Sequence, residues 1–168
     1  MTVDFGEHSR SLWRFALSLT GCHATAEDLV QETMLRAVKQ QQQLSDVENT
    51  RAWLFTVAAN LWRDQCRQQQ RRPPSQPLHL VAEPATRDWA ETENREHLTR
   101  VMESFQELPE LQRKVLYLRT VEQFSIAEIA EIAETTINSV KVSLSLARKR
   151  LRQKFERPQQ KENQELQS

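Results

Sequence analysis

FSIAEIAEIAETTINSVKVSLSLARKRL, residues Phe124 to Leu151, reads as two short helices joined by a tight turn. Ser125 followed three residues later by Glu128 is a capping-box start, in which each side chain answers a free backbone N–H of the other residue. Ile126, Ile129, Ala130 and Ala133 share one face of the first helix. Thr136 is placed to cap the second, and Ile137, Val140, Leu144, Ala147 and Leu151 recur at steps of three and four, as an inward stripe does. Asn138, Ser139, Lys141, Val142 and Ser145 are left outward, a short-side-chain face of the kind a helix-turn-helix inserts into a DNA major groove. The basic run Arg148, Lys149, Arg150, Arg152, Lys154 and Arg157 follows at once and suits phosphate contacts. An amphipathic helical hairpin with a basic end is the plainer alternative, and this stretch alone leaves both open.

A chain of 168 residues has room for one or two small domains. Two glycines and six prolines among many Gln, Glu, Leu, Ala and Arg argue for an all-α protein, since sheets with tight hairpins ask for more glycine. The formal net charge is zero, but its distribution is uneven. From Ser139 to Arg157 seven cations face one acid, Glu156, and Arg63, Arg67, Arg71 and Arg72 form a second cluster beside Asp64. The acids gather at Glu83, Asp88, Glu91, Glu93 and Glu96. Two basic patches on a neutral chain suggest nucleic acid at two places and a protein partner besides. Cys22 and Cys66 stand apart from any CxxC and read as reduced thiols, and the four histidines form no ligand set. No nucleophile, acid–base pair or metal cluster supports an enzyme, and no cofactor or small-molecule substrate is expected. No apolar run approaches the roughly 18 residues of a membrane span and no signal-peptide pattern opens the chain, so a cytoplasmic protein without membrane insertion is expected.

In chain order, a helix from about His8 to Leu19 carries Leu12, Phe15, Ala16 and Leu19 on one face, and Gly21 breaks it. Thr25 is placed to cap a second helix in which Leu29, Val30, Leu35 and Val38 point inward, with Met34 and Ala37 at the edges. Asp28, Gln31, Glu32 and Leu35 run along a neighbouring stripe, either a solvated face with one exposed leucine or a protein-docking face. Asn49 or Thr50 is placed to cap the next helix, to about Arg71. Its Trp53, Phe55 and Trp62 read as core, with stacking on unstacked bases as the alternative. Pro73, Pro74, Pro77 and Pro84 mark a linker. A helix from about Arg87 to Phe105 follows, with Leu98, Val101, Met102 and Phe105 on one face, and Pro109 starts another in its first turn. That helix turns Leu111, Val115, Leu116 and Leu118 inward as the platform for the hairpin. The polar end of the chain lacks an apolar face and reads as a disordered tail.

Taken together these segments resemble an extracytoplasmic-function (ECF) sigma factor, the smallest class of bacterial RNA polymerase sigma subunit. The likeness rests on Leu12-Trp13-Arg14-Phe15-Ala16, on Ala26-Glu27-Asp28-Leu29-Val30-Gln31-Glu32-Thr33 and on Arg51-Ala52-Trp53-Leu54-Phe55-Thr56-Val57-Ala58-Ala59-Asn60-Leu61 with Asp64 and Arg67. Leu108-Pro109-Glu110, Glu128-Ile129-Ala130 and Val140-Lys141 extend it into the C-terminal part. The resemblance implies two small helical domains and no chemistry of their own. Residues 1–72 would dock on core polymerase and read and melt the −10 element, and residues 73–96 would be the flexible linker. Residues 97–157 would hold the helix-turn-helix for the −35 element, with 158–168 as the disordered tail. It further implies that Asp28, Gln31, Glu32 and Leu35 meet the β′ clamp coiled coil, with the β subunit as a second polymerase contact. Asn60 and the loop from Leu44 to Asn49 would lie near a flipped −10 base, and Arg63, Arg67, Arg71 and Arg72 would track the opened strand. Thr136, Asn138, Ser139, Lys141, Val142, Ser145, Arg148 and Lys149 would meet the −35 duplex. Partners so implied are core RNA polymerase, double- and single-stranded promoter DNA, and an anti-sigma factor.

The chain departs from that pattern at four places. Glu134 stands where the hairpin turn often has glycine, which at positive φ costs about 1 kcal/mol. Ser143 and Leu146 replace frequent arginines, and Ala59 replaces another in the −10 helix. The expectation is a weaker −35 grip with more reliance on the −10 contacts. A sigma mimic that sequesters an anti-sigma factor is an alternative, although it gives the two basic patches little use. A stand-alone helix-turn-helix regulator is another, and it leaves the N-terminal half unexplained.

Overall fold

Leu12, Phe15, Ala16 and Leu19 are fully buried along one side of the first helix, α1 (Gly6–Thr20), and around this side the fold is assembled. The computed structural model describes residues 6–40, 49–71 and 92–165. Gly21 closes α1 at φ +67°, its N–H donating to the Leu17 carbonyl, in the left-handed region where a Cβ is unfavourable. The chain then reverses into α2 (His23–Lys39), which begins three residues earlier than a Thr25 cap predicts, with Cys22 in extended conformation at the N-cap position. Asn49 caps α3 (Thr50–Arg71), its side-chain oxygen accepting from Ala52 N at 2.9 Å. The C-terminal part comprises α4 (Thr92–Gln106), α5 (Glu110–Thr120), α6 (Ile126–Ile132) and α7 (Ile137–Glu165). Every described element is an α-helix, as the composition implies.

The two halves share one continuous core. α1, α2 and α3 pack on each other, α5, α6 and α7 do the same, and α1 lies on α5 while α3 lies on α6. Phe15 sits at the junction, its ring 4.9 Å from that of Phe55 and 5.7 Å from that of Tyr117. Phe124 meets Phe55 edge-on at 5.2 Å. The polar seam is as specific as the apolar one. Arg51 of α3 donates to the Glu122 carboxylate at 2.5 Å and to its carbonyl at 2.9 Å, with its guanidinium 4.2 Å over the Phe124 ring. Arg113 of α5 donates to the Gln106 carbonyl and across to the Leu19 carbonyl, and Gln106 Nε2 donates to the Ser18 carbonyl. Two open carbonyls at the end of α1 are thus satisfied from the other half.

Several inward expectations fail for identifiable reasons. On α2 the buried set is Ala26, Leu29, Val30, Thr33 and Ala37, and Leu35 and Val38 are 54% and 59% exposed. Ala26, Leu29, Val30, Thr33 and Ala37 share one face at steps of three and four, which turns Leu35 and Val38 away from the core, and Thr33 is tolerated inside because its hydroxyl donates to the Leu29 carbonyl at 2.7 Å. Ile137, the first residue of α7, is 49% exposed, whereas Val140, Leu144 and Ala147 beyond it are buried. Met102 is exposed, Pro109 takes the N-cap position of α5 rather than its first turn, and Leu98 has no described side chain. α4 is described from Thr92; the expected start near Arg87 and most of the linker lie outside the described residues. Where a disordered tail is expected from residue 158, α7 continues to Glu165, in keeping with the helix-forming Gln, Lys and Glu that follow Pro158.

Candidate nucleic-acid interface

Ser125 and Glu128 form the capping box in both directions, Glu128 N to Ser125 Oγ at 3.2 Å and Ser125 N to Glu128 Oε2 at 2.8 Å. Those bonds hold the Glu128 carboxyl below its usual range, with a further contribution from Asn49, whose amide donates to it at 3.0 Å. α6 ends in a paired C-terminal motif: Thr135 N donates to the Ala130 carbonyl and Glu134 N to that of Glu131. Glu134 fills the left-handed position of that motif at φ +48°, where glycine is the ordinary choice. Thr136 then caps α7, its hydroxyl accepting from Ser139 N at 3.1 Å. Turn and caps together fix how α7 leaves α6.

The outer side of α7 presents the expected set. Thr136, Asn138, Lys141, Val142, Ser145, Arg148 and Lys149 are exposed and Ser139 is half-buried. An open groove beside α6 is floored by Ile126 and Leu144 and walled by Lys141, Ser145, Arg148, Lys149 and Arg152, so four cations line it and no carboxylate does. That arrangement suits a polyanion laid along the helix. The departures at 143 and 146 are not equivalent, however. Leu146 is exposed, whereas Ser143 is 7% exposed and packs inward, and Ala59 is buried too. Of the two α7 departures, only position 146 therefore leaves the surface short of a cation, so Ser143 does not bear on the expected weaker −35 grip.

On α3, Asn60 and Arg63 are half-buried, Arg67 and Arg71 are exposed, and Arg72 lies outside the described residues, as does the loop before Asn49. Arg63 is already engaged. Its guanidinium donates to Asn60 Oδ1 at 2.9 Å and pairs with the Glu134 carboxylate at 2.7 Å. Arg63 and then Asn60 hold that carboxyl below its usual range. Phe55 is wholly core, as expected, while Trp53 and Trp62 are partly buried, packed against that core. On α2, Asp28, Gln31, Glu32 and Leu35 form one exposed stripe, with Glu32 and Arg36 paired at 3.2 Å. Val38, not anticipated there, adds to its apolar content. The partnership of Glu134 with Arg63 was equally beyond sequence reasoning, since only opposite charge links two positions 71 residues apart. No helix among the described residues is long and apolar enough to cross a membrane.

Comparison with known proteins converges on one family. Residues 5–72 match Sigma-70 region 2, and residues 98–151 match Sigma-70, region 4. The chain is 32% identical over 145 residues to the ECF RNA polymerase sigma factor EcfG of Rhodopseudomonas palustris, an alignment covering 84% of this chain and 77% of that one. The chain belongs to the ECF sigma factors. Within this ECF sigma factor α1, α2 and α3 make up region 2, and α4 to the basic part of α7 make up region 4. The chain is also 50% identical over 68 residues, 40% of its length, to the ECF RNA polymerase sigma factor SigL of Mycobacterium tuberculosis, and that match spans only 38% of SigL. The fold resembles the sigma factor RpoE of Bartonella quintana in complex with the anti-sigma factor NepR, with TM-score 0.73 and 28% identity over 91% of this chain and 94% of that one.

Proposed function

We propose that this ECF sigma factor directs core RNA polymerase to promoters and opens them. The observation that carries the reading is the pairing, in one chain, of a cationic polar face on α3 with a second one on a capped helix-turn-helix, beside a stripe on α2 left free to dock. In this reading Asp28, Gln31, Glu32 and Leu35 meet the β′ clamp coiled coil, and the β subunit supplies a further contact. Asn60, Arg63, Arg67, Arg71 and Arg72 take the melted −10 strand, with the loop from Leu44 to Asn49 near its flipped base. Thr136, Asn138, Ser139, Lys141, Val142, Ser145, Arg148 and Lys149 lie along the −35 duplex, where Asn and Lys are apt for base edges and Arg148 for phosphate. Bond-making stays with the polymerase. The likeness to RpoE, solved with NepR, supports an anti-sigma factor as a regulatory partner. Size-exclusion co-elution with core polymerase tests the reading. Wild type should co-elute and the Asp28→Ala, Gln31→Ala double variant should not; a folded wild-type chain that fails to co-elute would overturn it.

A further inference from the structure

The contact between Glu134 and Arg63 joins the two halves, linking an arginine assigned to the −10 strand to the turn that leads into the helix assigned to the −35 duplex. Glu134 reaches it from a strained position, the left-handed end of α6, which glycine would occupy without penalty. Its carboxylate lies on the Arg63 guanidinium with Asn60 alongside, and Arg67 is the next cation toward it. A carboxylate and a phosphate satisfy guanidinium in the same way, through charge-assisted bonds to paired oxygens. Two further polar contacts, Asn49 with Glu128 and Arg51 with Glu122, fasten the same seam.

Held this way the chain cannot serve both DNA elements. A compact body of 168 residues has a radius of gyration of roughly 15 Å and is about 40 Å across. Elements named for positions about 25 base pairs apart are separated by roughly 85 Å of duplex at about 3.4 Å per step. The 20 residues from 72 to 91, fully extended, reach at most about 70 Å, enough to part the halves once the seam opens.

We infer that Glu134 is an internal mimic of the −10 strand: it occupies Arg63 and Asn60 in a closed form of the chain, and single-stranded DNA must displace it to bind. The inference rests on the assignment of α3 to the melted strand. Its test is fluorescence-anisotropy titration of the full chain with a labelled single-stranded 20-mer of random sequence. Glu134→Gln should bind at least about fivefold more tightly than wild type, the lower end of ordinary intramolecular coupling. Glu131→Gln, which removes a charge from an exposed site on the same helix, should match wild type. The gain from Glu134→Gln should vanish when Arg63→Ala is added. Equal affinity of wild type and Glu134→Gln, or a gain that survives without Arg63, would overturn the mimic while leaving α3 as a strand-binding surface. Absence of single-strand binding in every protein would instead remove the α3 assignment, and the mimic with it.

Discussion

Arg51→Ala would probe whether the two regions share one core in solution. Arg51 and Glu122 pair across the seam at 2.5 Å, with side chains 34% and 5% exposed, and Tyr117 is the other donor to that carboxylate, at 3.4 Å. Removing one partner of a fully buried ion pair costs about 3–5 kcal/mol because the other charge stays behind. A third of the Arg51 side chain meets water, so solvent entering the vacated space reduces this to about 2 kcal/mol. Loss of the guanidinium from the Phe124 ring, 4.2 Å away, adds about 1 kcal/mol. The expected total is about 3 kcal/mol, or about 9 °C in Tm for a chain of this length. Urea and thermal unfolding followed by far-ultraviolet circular dichroism measure both. Adding Glu122→Gln should recover part of the loss, since the stranded charge is then absent. A single Arg51→Ala variant within about 0.5 kcal/mol of wild type, the range of an ordinary surface substitution, would refute the shared core.

Three further expectations concern charge and reactivity. Glu128 and Glu134 both have folded pKa values depressed by bonds to the carboxylate form, from Ser125 and from Arg63 respectively. Such groups add stability that is present above the usual value of about 4.3 and lost as pH falls through their lower folded values. Acid unfolding followed at 222 nm should therefore be flatter in Glu128→Gln than in wild type over that window. Leu146→Arg should steepen the salt dependence of duplex binding by nearly one unit, whereas Ser143→Arg should lower Tm instead, because that side chain packs inward. Of the two thiols, Cys22 is pulled below its usual range by the Thr25 N–H and hydroxyl, and Cys66 is pushed above it by burial. Iodoacetamide at neutral pH should label Cys22 first, as peptide mass mapping over time will report; preferential labelling of Cys66 would contradict this.

What was legible in the sequence was local. Ser125 with Glu128, Thr136, Asn49 and Gly21 each declare a helix boundary through a bond or a backbone preference that spans at most four residues. The outward sets on α2 and α7 were legible too, because helical spacing orders polar residues as firmly as apolar ones. The inner face of α2 was misread because apolarity and size favour Leu35 over Thr33, whereas helical phase puts Thr33 with Ala26, Leu29, Val30 and Ala37, and the internal hydroxyl bond removes the cost of its burial. The seam between the regions was invisible. Glu134 looked like a turn residue of the wrong type, and the partner its carboxylate takes lies on another helix.

The ends of α1 and α4 meet in a way that bears on chimaeras. Gln106 and Arg113, both in region 4, cover the Ser18 and Leu19 carbonyls of region 2, and a Cβ built on Gly21 would stand 3.2 Å from Gln106 Oε1. The two regions have thus been fitted to each other at a point that lies outside the residues proposed to meet DNA. A recombinant that takes its C-terminal half from a relative inherits whatever that relative carries at 106 and 113, and without matching donors the last turn of α1 turns to water for its bonds. Transplanting promoter preference between such proteins is therefore safest when the donor brings those two side chains with it.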